Sequence, residues 1–196
     1  MITYGGRFAL PLETYHGVPR GWCKQDILAA QDTLRGSYEL DGPDATEPGA
    51  PNWLPDRWNW LQYRATLHRV ADGVRAGDHG CVEIAVRYII LRHIGSYSGF
   101  IRARLARALK NAVLSMQQKE RLNSHFLMLV ENADFTEEFS EYVKLWRRIA
   151  SADIEKRLSS VAAAHREDPR WEWLSEVVSN PPAPKPARLP LLPDRS

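Results

Sequence analysis

The sequence predicts an all-α chain of about six antiparallel helices, built as a compact helical bundle or as HEAT-like helix pairs. Three observations lead there. Apolar residues recur at helical spacing from residue 57 onward. The breaks between these stretches are short and carry capping or stop residues. The expected helix starts, near 57, 79, 98, 116, 136 and 153, are separated by 22, 19, 18, 20 and 17 residues. Short connections force neighbours antiparallel. Two helices per unit give a period of 37–41 residues, close to the about 40–47 of HEAT and armadillo units. No motif repeats from pair to pair, and a closed bundle has the same spacing, so both arrangements stay open.

Three segments are expected: an N-terminal arm over 1–56, a helical domain over 57–179 and a Pro-rich tail over 180–196. Residues 1–22 are rich in Gly, Pro and Tyr and show no helical period; they fit an extended arm or a small hairpin. The stretch GWCKQDILAAQDTLRG reads as a short helix with Ile27, Leu28 and Leu34 on one side and Gly36 as its stop. Residues 41–56 hold four prolines and two glycines and read as a loop.

The first regular helix carries Trp60, Tyr63, Leu67, Val70, Ala71 and Val74, and Gly77 ends it. Residues 81–94, CVEIAVRYIILRHI, are apolar nearly all round. Their length without Gly or Pro favours a buried helix over a buried strand. After GSYSG comes a helix with Ile101, Leu105, Ala108, Leu109 and Ala112 facing inward. Ser115 and Gln118 form a capping-box pattern for a helix carrying Leu122, Phe126, Leu129, Val130 and Ala133. Thr136 is the expected cap of the next, with Glu137 and Glu138 solvated in its first turn. Its stripe is Phe139, Tyr142, Val143, Trp146 and Ile149. Asp153 is the expected cap of a helix with Ile154, Leu158, Val161 and Ala162, and Pro169 separates it from a short WEWLSEVV segment. The stretch CVEIAVRYIILRHIGSYSGFIRARLARALKNAVLSMQQKERL resembles paired HEAT-type helices in architecture, without a motif that names a family.

At 44% hydrophobic residues the chain can bury a core, and its seven Trp offer large packing or contact areas. Cys23 and Cys81 form no CxxC pair and read as reduced thiols. No signal-peptide pattern opens the chain, and no window approaches the about 18 apolar residues of a membrane span. A cytoplasmic location is expected.

Net charge is +2, but unevenly spread. Residues 1–83 carry −3, residues 84–119 carry +7 with no acid at all, residues 120–176 carry −4 and the remainder +2. On a helical wheel Arg102, Arg104, Arg107 and Lys110 fall outside the apolar stripe, with no acid three or four residues away in the same helix. With Arg87 and Arg92 they make a candidate surface for anions, nucleic acid or an acidic protein partner. Tyr97 and Phe100 would then stack on bases, or Phe100 would pack inward. The alternative is an ordinary solvated face, or cations paired within the protein.

Chemistry is sparse. His79, Cys81 and Glu83 share one helical turn and form a fragment of a metal or Cys–His site. The plainer expectation is Asp78 as a helix cap, His79 exposed, Cys81 in the core and Glu83 paired with Arg87. No phosphate loop, dinucleotide fingerprint or nucleophile elbow is present, and no cofactor or metal is expected. The tail NPPAPKPARLPLLPDRS holds six prolines in seventeen residues. It reads as a solvated polyproline segment or as a docking peptide using Leu189, Leu191 and Leu192. The expected function is a non-catalytic helical adaptor or small subunit with a protein partner. The alternatives are an accessory nucleic-acid-binding protein using the basic face and an enzyme with a dispersed site; no membrane association is expected.

Overall fold

The computed structural model describes residues 2–4, 8–10, 17–42 and 57–164. Residues Met1–Ile154 form one compact unit and Glu155–Ser196 a second. Apart from a short antiparallel strand pair, β1 (Ile2–Tyr4) with β2 (Phe8–Leu10), the regular structure of the described residues is helical. The helices are α1 (Lys24–Thr33), α2 (Arg57–Arg75), α3 (His79–Leu91), α4 (Ser98–Leu109), α5 (Met116–Glu131), α6 (Phe139–Ile149) and α7 (Ala152–Ala164).

Local chemistry sets the boundaries. Gly77, at φ +86°, turns the chain after α2 in a conformation that a β-carbon disfavours. Asp78 caps α3 by accepting from the Cys81 amide at 2.7 Å. Ser115 and Gln118 form the expected capping box of α5. The stripe expected for α2 is buried throughout. Residues 81–91 are helical, and α3 is buried on most of its circumference, as its apolar composition requires. Two starts differ from expectation. α6 begins at Phe139 with Glu138 as its cap residue, and α7 begins at Ala152, one residue before Asp153.

Within the first unit, substantial contacts link only helices that are adjacent or next but one. α2, α4 and α6 touch in that order along one row, and α1, α3 and α5 along another. This two-row order is one that stacked helix pairs share; among the described residues of this unit no substantial contact joins α1 to α6. Named pairs give the directions. Asp72–Arg104 follows Arg64–Tyr97 along α2 and α4, so these two are parallel. Tyr63–Tyr88 and the Gly73–Cys81 approach make α2 and α3 antiparallel. At Gly73 a β-carbon would come within 2.4 Å of the Cys81 sulfur, so glycine is what lets these helices touch. α1 breaks the alternation. Trp22 lies on Tyr88, Gln31 on Cys81 and Leu34 on His79, so α1 runs opposite to α3 in its own row.

Aromatic side chains fill the core between α5 and α6. Phe126 stacks on Tyr142 at 5.0 Å and meets Trp146 at 5.7 Å. Each such pair contributes about 0.5–1.5 kcal/mol beyond the area it buries.

Candidate interaction surface

The acid-free block of the sequence is not acid-free in space. Arg87 pairs with Glu83 at 2.8 Å, Arg92 with Asp134, and Arg104 with both oxygens of Asp72 at 2.9 and 3.2 Å. Arg107 reaches Glu141 at 3.8 Å. Each carboxylate comes from another helix or from the turn before it, except Glu83 on the helix of Arg87. Of the six candidate cations, Lys110 has no carboxylate within ion-pair distance among the described residues. Leu189, Leu191 and Leu192 lie outside the described residues.

Arg102 corrects the expectation of a solvent-facing side chain. Its side chain is 7% exposed and meets Glu138, itself 4% exposed, at 2.5 Å. The helical wheel failed because α4 is packed against α2, α3 and α6, so its buried arc is wider than one apolar stripe. Glu138 is likewise not solvated in a first turn; it is the counter-charge of Arg102. Burial works against the Arg102 charge, but Tyr142 and Glu138 outweigh it and hold its pKa above the ordinary value. Tyr142 stands close enough to act on the guanidinium electrostatically, and Tyr63 and Tyr88 join hydroxyls beside it. Burial raises the phenol pKa of all three, to about 12 for Tyr88.

This buried clasp holds the loop between α3 and α4. Arg102 donates through Nη1 to the His93 carbonyl. Ser98 Oγ donates to the Gly95 carbonyl and accepts from the Gly95 amide. Arg92, at φ 54°, is tied to Asp134, and Tyr97 stands at φ 64°. A left-handed conformation at a large non-glycine residue costs free energy and persists only where its surroundings enforce it.

The loop so held and the helix ends that flank it display apolar side chains. Tyr97 is 48% exposed and Phe100 69%, and Leu91 and Ile94 are exposed as well. Tyr97 and Phe100 lie 6.0 Å apart with rings tilted by 40°. The Arg64 guanidinium sits 4.3 Å from the Tyr97 ring centroid and 5.3 Å from that of Trp60, two cation–π contacts. Between α2 and α4 lies a cleft of about 230 Å³ lined by Arg64, His68, Tyr97, Phe100 and Ile101. Tyr97 and Phe100 were legible as possible contact residues. Arg64 was missed; its signal was the spacing of four from Trp60, which puts both on one helix face.

The turn holding His79, Cys81 and Glu83 follows the plainer expectation. His79 is exposed and bonded to the Leu34 carbonyl, Cys81 is fully buried, and Glu83 pairs with Arg87 and Arg121. Burial, with Asp78 adding to it, pushes the Cys81 thiol well up. Burial alone would raise Glu83, yet Arg121, Arg87 and Gln118 bring its carboxyl below the ordinary value. Among the described residues no group of three or more His, Cys, Asp or Glu is placed to hold a metal ion, and no helix is long and apolar enough to cross a membrane. No family model matches the chain, and no curated protein or solved structure matches it.

Proposed function

We propose that this protein is a non-catalytic helical adaptor that binds a protein partner through the loop between α3 and α4 and the α2–α4 cleft beside it. The observation that supports this most is the exposure of Tyr97 and Phe100 on a backbone whose strain is maintained from inside the protein. Exposed aromatic residues next to arginine are the composition of interface hot spots. A rigid presentation lowers the ordering cost of binding.

A nucleic-acid reading draws on the same aromatic residues. It is the weaker one, because one face of Tyr97 is taken by Arg64 and the 40° tilt between Tyr97 and Phe100 offers no parallel platform for stacked bases. Affinity purification of the full chain from its native cells, with nuclease treatment as a control, tests the reading. The expected result is a nuclease-resistant protein partner that is lost with the Tyr97→Ala/Phe100→Ala variant. A partner that survives this variant moves the function elsewhere on the surface.

A further inference from the structure

We infer that the partner segment recognised at this surface is an acidic linear peptide that places one large apolar side chain in the α2–α4 cleft. The inference rests on the interaction reading above and adds the chemistry of the ligand. The size of the cleft comes first. At about 230 Å³ it is below the roughly 300–1,000 Å³ of small-molecule and cofactor sites. It suits a single side chain, with Tyr97, Phe100 and Ile101 as its apolar wall.

Charge comes second. Helices α2 and α4 together contain seven arginines, no lysine and one acid, Asp72. Arg102 is consumed inside by Glu138. Asp72 is shared between Arg75 at 2.5 Å and Arg104 at 2.9 Å, one carboxylate against two guanidiniums. Arg107 has only a long contact, 3.8 Å, to a Glu141 that also holds Lys144 at 2.7 Å. Asp72 and Glu141, two carboxylates, are therefore shared among four cations, Arg75, Arg104, Arg107 and Lys144. Arginine forks match carboxylates in two-point geometry, and their planar groups also lie against aromatic rings. Acidic side chains flanking an apolar anchor complete both halves of this surface.

Stacked bases fit it less well. One face of Tyr97 is taken by Arg64, its flank meets Trp60 at 5.7 Å, and the 40° tilt to Phe100 leaves no parallel platform for consecutive bases.

The test uses displayed libraries of random short peptides, selected on the full chain and counter-selected on Tyr97→Ala/Phe100→Ala. Enriched sequences should combine Asp or Glu with Phe, Leu or Trp. Their affinity should fall about tenfold or more with Phe100→Ala and, separately, with Arg104→Ala/Arg107→Ala. Phe100→Ala should keep the parent melting temperature, because the ring is 69% exposed. Enriched peptides that are neutral or basic and indifferent to the arginine variant overturn the acidic ligand and leave the adaptor reading standing. Absence of enrichment overturns the linear-peptide inference, while the native-cell purification still decides the adaptor reading on its own. Tighter binding of oligothymidylate, abolished by Arg104→Ala/Arg107→Ala, overturns the inference in favour of nucleic acid.

Discussion

Arg102 and Arg107 stand five residues apart on one helix and do opposite work. Arg102 is sealed in the core, 2.5 Å from a carboxylate that is sealed with it. Arg107 is 52% exposed and its nearest carboxylate is 3.8 Å away. The first organises backbone, through the His93 carbonyl; the second is available to a ligand. A run of like charges in a sequence thus mixes internal fasteners with outward contacts, and burial decides which is which.

Removing the buried counter-charge should have the largest effect. Glu138→Ala leaves Arg102 charged and unpaired in the core and should cost about 3–5 kcal/mol in urea unfolding. The double replacement Arg102→Met/Glu138→Leu should recover most of that stability. It should still weaken ligand binding, because nothing grips the His93 carbonyl. If the double variant binds as the parent does, the clasp is structural and does not organise the loop.

Asp78 sharpens the contrast from another side, as a buried carboxylate held by N–H and hydroxyl groups. It accepts from Cys81, Ser37 and Tyr38, and although burial alone would raise it, those bonds lower its pKa to about 2. Asp78→Ala removes a helix cap and the tether of the segment after α1, and should cost about 2 kcal/mol in the same assay.

Protonation gives a third probe of the inner side. Burial, with Arg102 adding to it, lowers His93 to about 4, and burial with Arg92 and Arg102 does the same for His125. An unfolded histidine titrates at about 6.5, so between those values the unfolded chain binds more protons and stability falls as pH drops. Asp78 acts only below that window. The melting temperature should therefore fall between pH 7 and pH 5, and His125→Gln should reduce the slope; a flat profile would mean that both rings stay open to solvent. The smallest effect belongs to the exposed cation. Arg107→Ala should change stability by no more than about 0.5 kcal/mol, and a cost near that of Glu138→Ala would erase the distinction between the two arginines.

The helices were legible because their signals are local: apolar spacing, caps at Asp78 and Ser115, and a stop at Gly77. The buried arc of α4 was not, since a helical wheel assumes one packed side and α4 has three neighbours. Glu138 resembled any acid before a helix, and only its distance to Arg102, 36 residues earlier in the chain, distinguishes it. The aromatic half of the surface was half legible. Tyr97 and Phe100 stood out beside the cations, but the sequence offered no sign that Arg104 and Arg107 would be tied to Asp72 and Glu141. The two-row order of the helices was a matter of long-range contacts, to which helix spacing is blind.

The left-handed backbone at Tyr97 bears on any effort to make this protein more robust. Glycine at that position would relieve a conformational cost of about 1–2 kcal/mol, offset in part by the lost contacts with Arg64 and Trp60. Selection for heat resistance alone would therefore tend to favour glycine there. The resulting protein would survive higher temperatures with its recognition surface blunted, because robustness and recognition pull one side chain in opposite directions.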